Sequence, residues 1–514
     1  MKALLEPIKE IARFDELFRD LKKGTAGVTV ISGCLESQKA HMIAGLSEDA
    51  PVRLLIAENE LKAKELYEDY RLYDAETLYY PAKDLIFYQA DIHGNLLIRQ
   101  RLQVIQALLE RKEVTIITSV GGCMDFLLPL GVFEKHCIHL RNDSELDLDK
   151  IRKELVRLGY ESTFQVESTG QFSVRGGILD IYPLTEQNPI RIELWGDEID
   201  SIRSFDAESQ RSIENLEEIT IYPASELILT EDTIARGVKA IKKEAKAQST
   251  KFRDKMMTEE AARIRRAAEE ICDRIGEGEI LQGAEQYLHY FYPETVSFLE
   301  YLPENSRIFL DEPNRIIECA DALEAEFQES VSHRLEKGYL LPGQAKLMCS
   351  TAELVAKLNR RGCVAVSLME PQKGEWNIRD EFSVTVKSVN SYNNQFPLLV
   401  KDLKSWKKAG YRIVLASPSR TRAQHLAEDL QNEEIPAFYS ENEERVLKPG
   451  EVMLIYGAAR RGFEYPMQKF VLITETDIFG KEKKKNRKKS EYSGQKIQNF
   501  ADLSIGDYVV HESH

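Results

Sequence analysis

The chain has 514 residues, 43% of them apolar and 30% charged, with a formal net charge of −16; that length suits roughly three to four soluble domains. No apolar run approaches the roughly 20 residues that cross a bilayer, and the charged N-terminus MKALLEPIKEIARFDELF is not a secretory signal, so a membrane is not an expected partner. The acidic balance excludes bulk attraction to nucleic acid, so any DNA contact has to be local and a protein partner is the default.

In chain order, Leu4, Leu5, Ile8, Ile11, Phe14, Leu17, Phe18 and Leu21 keep helical spacing and predict one surface helix. Val28 to Ile31 reads as a strand that leads through SGCLESQKAH into a helix. Arg53 to Ile56 and Val114 to Thr118 read as further strands, with a long amphipathic helix from about residue 95 to 110 between them. Alternating strands and helices predict an α/β fold with a doubly wound, mostly parallel sheet. The texture changes near residue 133. A helix built on Leu148, Ile151, Leu155 and Leu158 stops at Gly159, and GQFSVRGGILDIYP and PIRIELWGDEIDSIRSF then alternate as the strands of a small α+β module. Residues 229 to 276 are helical and highly charged. The α/β texture returns with the strand Arg307 to Leu310, ending in Asp311-Glu312-Pro313, as if the small module were inserted into a larger domain. Beyond residue 380 another α/β unit follows, with strands at 412–416, 452–456 and 470–474 and a helix at 421–432; its Arg460-Arg461 pair reads as solvated. KEKKKNRKKSEYSGQ is a basic linker whose plainest role is a solvated tether, and NFADLSIGDYVVHESH reads as the start of one more domain, cut short. Seven scattered cysteines without a C-x-x-C pair point to a reducing compartment, the cytoplasm, and away from a zinc site.

Gly33 and Lys39 stand where a phosphate-binding loop needs them. Such a loop points backbone N–H groups at phosphate oxygens, and its Ser or Thr hydroxyl ligates magnesium. Here Gln38 replaces the second glycine, Ala40 removes the hydroxyl, and Glu36 adds negative charge. Asp311 and Glu312 look like an acidic pair that holds magnesium, although an apolar strand ending in Asp-Glu is commonly just a strand end. The expected state is a degenerate nucleotide site kept as scaffold, with no catalytic residue, no metal and no cofactor in this segment.

Successive side chains on a strand point to opposite faces. Ile190, Ile192 and Leu194 therefore face a core, while Arg191, Glu193 and Trp195 share the other face; Phe172, Val174 and Ile178 are assigned one parity in the preceding strand, and Ser173 and Arg175 the other. If the strands pair, Arg175, Arg191 and Trp195 share an exposed face of hot-spot composition. Parity leaves a second reading open: Trp195 packing under a loop of its own domain, with the arginines in surface ion pairs.

GQFSVRGGILDIYP, RIELWGDEIDSIRSFDAESQRS and YPASE together resemble the module shared by the excision-repair subunit UvrB and the transcription-repair coupling factors (Mfd). In both families this module docks UvrA, and the resemblance places the docking arginines and aromatic on Arg175, Arg191 and Trp195. The degenerate loop and the short QADIHG between Tyr88 and Asn95, where UvrB carries a long DNA-gripping hairpin, favour the coupling factors, as does LDEPNRI. The resemblance covers the whole chain but only the N-terminal half or so of such a protein. It implies a degenerate RecA-like domain in two parts, 1–132 and 231–378, around an inserted UvrA-binding domain, 133–230. A reduced α/β domain at 379–480, a linker at 481–497 and the start of an RNA-polymerase-interaction domain at 498–514 follow. ATP, magnesium and most contact with double-stranded DNA would belong to motor lobes outside this segment, which in full-length family members release stalled RNA polymerase. There the docking face is masked by a C-terminal domain, so this segment is expected to present it open. The leading expectation is a non-catalytic scaffold recruiting UvrA. The alternatives are a UvrB-like ATP-dependent enzyme, which needs nucleotide at Lys39, and a direct DNA-damage binder acting through the linker or the Arg-rich helices.

Overall fold

The computed structural model describes residues 2–22, 24–83, 95–276, 284–371 and 374–480. The position assigned to the short hairpin, the basic linker 481–497 and the segment 498–514 lie outside the described residues.

The N-terminal stretch forms two helices where one was predicted. Between α1 (Lys2–Lys9) and α2 (Phe14–Lys22), Arg13 adopts φ +63, a left-handed conformation through which an α-helix cannot run. Neither helix is merely superficial, because Leu4, Ile8, Phe14 and Leu17 are buried. β1 (Val28–Ser32) is buried at every position, as a strand covered on both faces must be. It passes through residues 33–35 into α3 (Glu36–Gly45). β2 (Val52–Ala57), α4 (Glu60–Tyr70), β3 (Leu78–Tyr80), α5 (Asn95–Leu109) and β4 (Val114–Ser119) follow.

The chain then builds the small module. α6 (Leu148–Arg157) is capped by the Asp147 side chain, which accepts from the Asp149 and Lys150 N–H groups. Six strands come next: β5 (Glu161–Ser162), β6 (Gln171–Arg175), β7 (Ile178–Ile181), β8 (Ile190–Trp195), β9 (Glu198–Phe205) and β10 (Ser212–Leu216). They lie side by side in chain order. Every pair is antiparallel except β5 with β6, as short turns between neighbours require. Two long helices follow and pack against each other, α7 (Glu231–Asp254) and α8 (Thr258–Gly276).

β11 (Arg307–Asp311), α9 (Pro313–Glu336), α10 (Thr351–Arg361), β12 (Cys363–Val366) and β13 (Ile378–Ser383) complete the first sheet. Its order is β13-β1-β12-β11-β2-β4-β3, and all its pairs are parallel. The expected α/β class with a parallel sheet is the one the chain adopts. A second sheet comprises β14 (Lys387–Ser388), β15 (Arg412–Ser417), β16 (Ala437–Tyr439), β17 (Val452–Tyr456), β18 (Phe463–Tyr465) and β19 (Phe470–Thr474), in the order β14-β18-β19-β15-β17-β16. Its helices α11 (Phe396–Lys408) and α12 (Arg420–Asn432) cover one face through Leu399, Leu403, Leu426 and Leu430. The other face is closed by the first unit: Ala3, Leu4 and Leu72 share one apolar cluster with Val414, Met453, Phe463 and Phe470. Arg460, expected to be solvated, is part of this junction. Its N–H and Nε donate to Asp69 at 2.7 and 2.9 Å, and its Nη1 lies 2.6 Å from Glu65.

Candidate functional sites

The loop after β1 turns at Gly33, where φ is +81. The chain after β13 runs directly over this glycine, so that a Cβ there would stand 2.2 Å from the Val384 carbonyl oxygen. The Gly33 N–H donates to the Leu368 carbonyl at 3.1 Å and the Cys34 N–H to the Ser367 carbonyl at 3.0 Å. Two amides that a phosphate cradle would aim outward are thus engaged by the segment after β12.

Lys39 is 1% exposed. Its Nζ lies 2.6 Å from Glu36 Oε1, 2.6 Å from Asp311 Oδ1 and 2.7 Å from Glu312 Oε1. Sheet order explains the meeting, since β12 alone separates β1 from β11. Burial acts against the Lys39 charge, but Asp311 and Glu36 outweigh it and hold the ammonium above its ordinary pKa. Burial pushes Asp311 up to about 6, with Lys39 pulling the other way. Glu312 sits at φ +57, an uncommon conformation for a non-glycine residue. It is held there by Lys39 and by the Leu368 N–H, which donates to its carboxylate at 2.8 Å. The ligand oxygens of Glu36, Asp311 and Glu312 all lie within 4.8 Å of one another, close enough to share a cation, and the Lys39 ammonium fills that role. Three carboxylates against one ammonium repel a polyphosphate rather than attract it.

Gln38 and Ala40 are buried on α3. Gln38 turns away from the loop, its Nε2 donating to the Tyr465 hydroxyl at 2.6 Å. The same hydroxyl lies 3.1 Å from His41 Nδ1, and His41 Nε2 lies 2.7 Å from the Leu4 carbonyl oxygen. The helix that would carry a nucleotide lysine is therefore part of the junction between the two α/β units. Local sequence did not show this, because the partners are hundreds of residues away.

In the small module, Trp195 is 85% exposed. This favours the outward reading over packing beneath a loop, while the arginines do form ion pairs. Arg191 lies opposite Asp180 in the β8–β7 register, and Ser173 lies opposite Asp180 on the other side. Arg175 Nη2 donates to Asp180 Oδ2 at 2.9 Å, and Arg191 donates to both Asp180 oxygens at 2.6 and 2.9 Å. Arg191 also donates to Gln210 Oε1 at 3.0 Å. The face therefore holds Arg175, Arg191 and Trp195 together as expected. The parity given to Ile178 is wrong: Gly176-Gly177 is a turn, with Gly176 at φ +60. Ile178 pairs directly with Arg175 and shares its face, while Leu179 points to the core. Reading the two strands as one continuous run missed the reset.

Two further residues belong to this face. Asp180, 1% exposed, clamps both arginines; its only sequence signal was an acid inside the apolar run ILDI. Phe164 is 83% exposed, its ring centroid 5.7 Å from the Arg175 guanidinium carbon, and the Ser173 hydroxyl donates to its backbone carbonyl at 2.7 Å. Two exposed aromatics beside two positioned arginines have the composition of a protein-binding hot spot.

The family described as the UvrB interaction domain matches residues 138–227, which contain this whole face. The transcription-repair-coupling factor of Bacillus subtilis (strain 168) is 32% identical across 97% of this chain and 43% of its own length. That of Staphylococcus aureus (strain Mu50) is 30% identical across all of this chain and 43% of its own. That of Staphylococcus haemolyticus is 29% identical across 94% and 41%. The chain spans about two fifths of the length of these relatives. The resemblance read from GQFSVRGGILDIYP and RIELWGDEIDSIRSF holds: over nearly its whole length this chain is related to the transcription-repair-coupling factors, and it carries a UvrB interaction domain.

Proposed function

We propose that this segment is a non-catalytic scaffold that docks UvrA through the face bearing Arg175, Arg191 and Trp195, and so brings excision repair to lesions where RNA polymerase has stalled. The observation that carries the reading is Trp195, 85% exposed at the end of β8 on the same face as two arginines fixed by one buried carboxylate. A rigid presentation of this kind loses little side-chain entropy on binding. Support also comes from the match of residues 138–227 to the UvrB interaction domain and from the names of the relatives. In this reading the first unit is a degenerate RecA-like scaffold, with its lysine neutralised and its loop amides engaged. ATP turnover, polymerase release and most duplex contact lie in the part of the relatives this chain does not span. Among the described residues no helix is long and apolar enough to cross a membrane.

The test is a UvrA binding titration with Trp195→Ala and Arg191→Glu. Each is expected to weaken the complex by about a hundredfold, some 2.7 kcal/mol, with an unchanged circular dichroism spectrum. Wild-type affinity in both variants would remove the assignment. Calorimetry with ATP and magnesium is expected to show no binding; saturable micromolar binding that disappears in Lys39→Ala would instead establish a UvrB-like nucleotide site.

A further inference from the structure

α7 takes part in neither site, yet it carries a row of exposed cations in an acidic chain. Its buried side is Thr233, Gly237, Ile241, Ala245, Ser249 and Phe252, recurring mostly at every fourth residue and packed against α8 and the short helix at 288–291. On the opposite side Arg236, Lys239, Lys243, Lys246 and Arg253 recur at helical spacing, with Lys242 beside them, and all six are exposed. None of them forms an ion pair with a described residue, unlike the exposed Arg420, which pairs with Glu441. Acids are kept off the stripe. Between Asp232 and Asp254 the helix has one, Glu244, and that side chain turns inward to accept from the Tyr290 hydroxyl and, at 3.1 Å, from the Gly343 N–H.

A chain with net charge −16 would not concentrate unpaired cations for solubility, which either sign supplies. From Arg236 to Arg253 the row runs about 25 Å along the helix axis, the length of roughly seven base-pair steps. The exposed residues between the cations include Ala247 and Thr250, short enough to let a flat polyanion approach. Among the described residues of α7 no exposed aromatic ring stands on this face to stack on single-stranded bases, as sequence-tolerant single-strand binders use. Within α7 the face also lacks the aromatic or methionine anchor of a protein interface, in which lysine is depleted; the exposed Met256 lies beyond the helix end. We propose that the outer face of α7 is a sequence-independent contact for the phosphate backbone of double-stranded DNA. It is separate from the UvrA face and does not depend on that assignment. Such a contact would be local, as the overall charge demands, and would orient the scaffold on a duplex without reading its sequence.

The test is fluorescence anisotropy of a labelled mixed-sequence duplex with the full chain across a KCl series. Wild type is expected to bind with log affinity falling linearly in log salt. Lys239→Gln/Lys243→Gln/Lys246→Gln is expected to make that slope shallower by roughly 2.7, at about 0.9 for each phosphate no longer neutralised. A control that removes the same charge from α11, Lys401→Gln/Lys404→Gln/Lys408→Gln, is expected to leave the slope unchanged. Neutralising the Lys and Arg residues of 481–489 in both backgrounds is expected to preserve the difference due to α7. Equal slope changes in the α7 and α11 variants, or no duplex binding at low salt, would overturn the proposal. So would binding of polyglutamate but not duplex to the α7 face, which would assign it to an acidic protein.

Discussion

Asp180 is nearly inaccessible to solvent and receives both guanidinium groups of the proposed docking face. The carboxylate holds Arg175 and Arg191 in one arrangement before any partner arrives, and the Phe164 ring lies close to the first of them. Asp180→Asn keeps the shape and removes the charge that organises the pair. It is expected to lower stability by about 1–3 kcal/mol, short of the cost at a fully enclosed pair because the Arg175 side chain is 38% exposed. UvrA affinity is expected to fall about tenfold or more from weakened preorganisation. Urea unfolding and a binding titration on the same preparation check the two effects. The arginines and the tryptophan were legible in the sequence because strand alternation is local. Asp180 was not, since its role depends on which strands become neighbours across the Gly176-Gly177 turn.

At the scale of elements, β1, the glycine turn and α3 follow from local pattern alone. What fills the loop does not, because Asp311 and Glu312 arrive on β11 and Ser367, Leu368 and Val384 arrive after β12 and β13. Only the sheet order brings these segments together. Gly33→Ala has to resolve both a left-handed φ and a 2.2 Å approach to the Val384 oxygen. Its expected cost is about 2–4 kcal/mol, visible as a lower melting temperature with no change in nucleotide affinity. Lys39→Ala removes the cation among three carboxylates, at an expected cost of about 3–5 kcal/mol. If the ammonium stands in for a metal ion, millimolar calcium should raise the melting temperature of this variant and leave wild type unaffected. Equal calcium shifts in both proteins would refute that equivalence.

For the whole molecule, the junction between the two α/β units is where the sequence was least informative. Its polar centre is Tyr465, bonded to Gln38 and His41, with Arg460 on Asp69 beside it. Burial pushes His41 down to about 4, partly opposed by its bond to the Leu4 carbonyl. An unfolded chain takes up a proton at this residue between pH 6.5 and about 4 while the folded chain refuses it, so the stability due to neutral His41 is present above pH 6.5 and is lost as pH falls towards 4. The loss amounts to about 3 kcal/mol. Measured as the difference in urea stability between wild type and His41→Gln, which cancels groups such as Asp311, the wild-type advantage is expected to shrink steadily from pH 7 to pH 4. A pH-independent difference would show that His41 takes up its proton equally in the folded and the unfolded chain.

Ala3 and Leu4, near the start of the chain, lie against Phe463 and Phe470, more than 450 residues later. A recombinant fragment beginning near residue 385 would keep its own helices on one side of the β14–β19 sheet and expose bare hydrocarbon on the other. Dissecting this polypeptide at the boundary its strand pattern suggests should therefore yield a sticky, poorly soluble half. Co-expressing the two pieces, with the first ten residues intact, should recover a soluble pair.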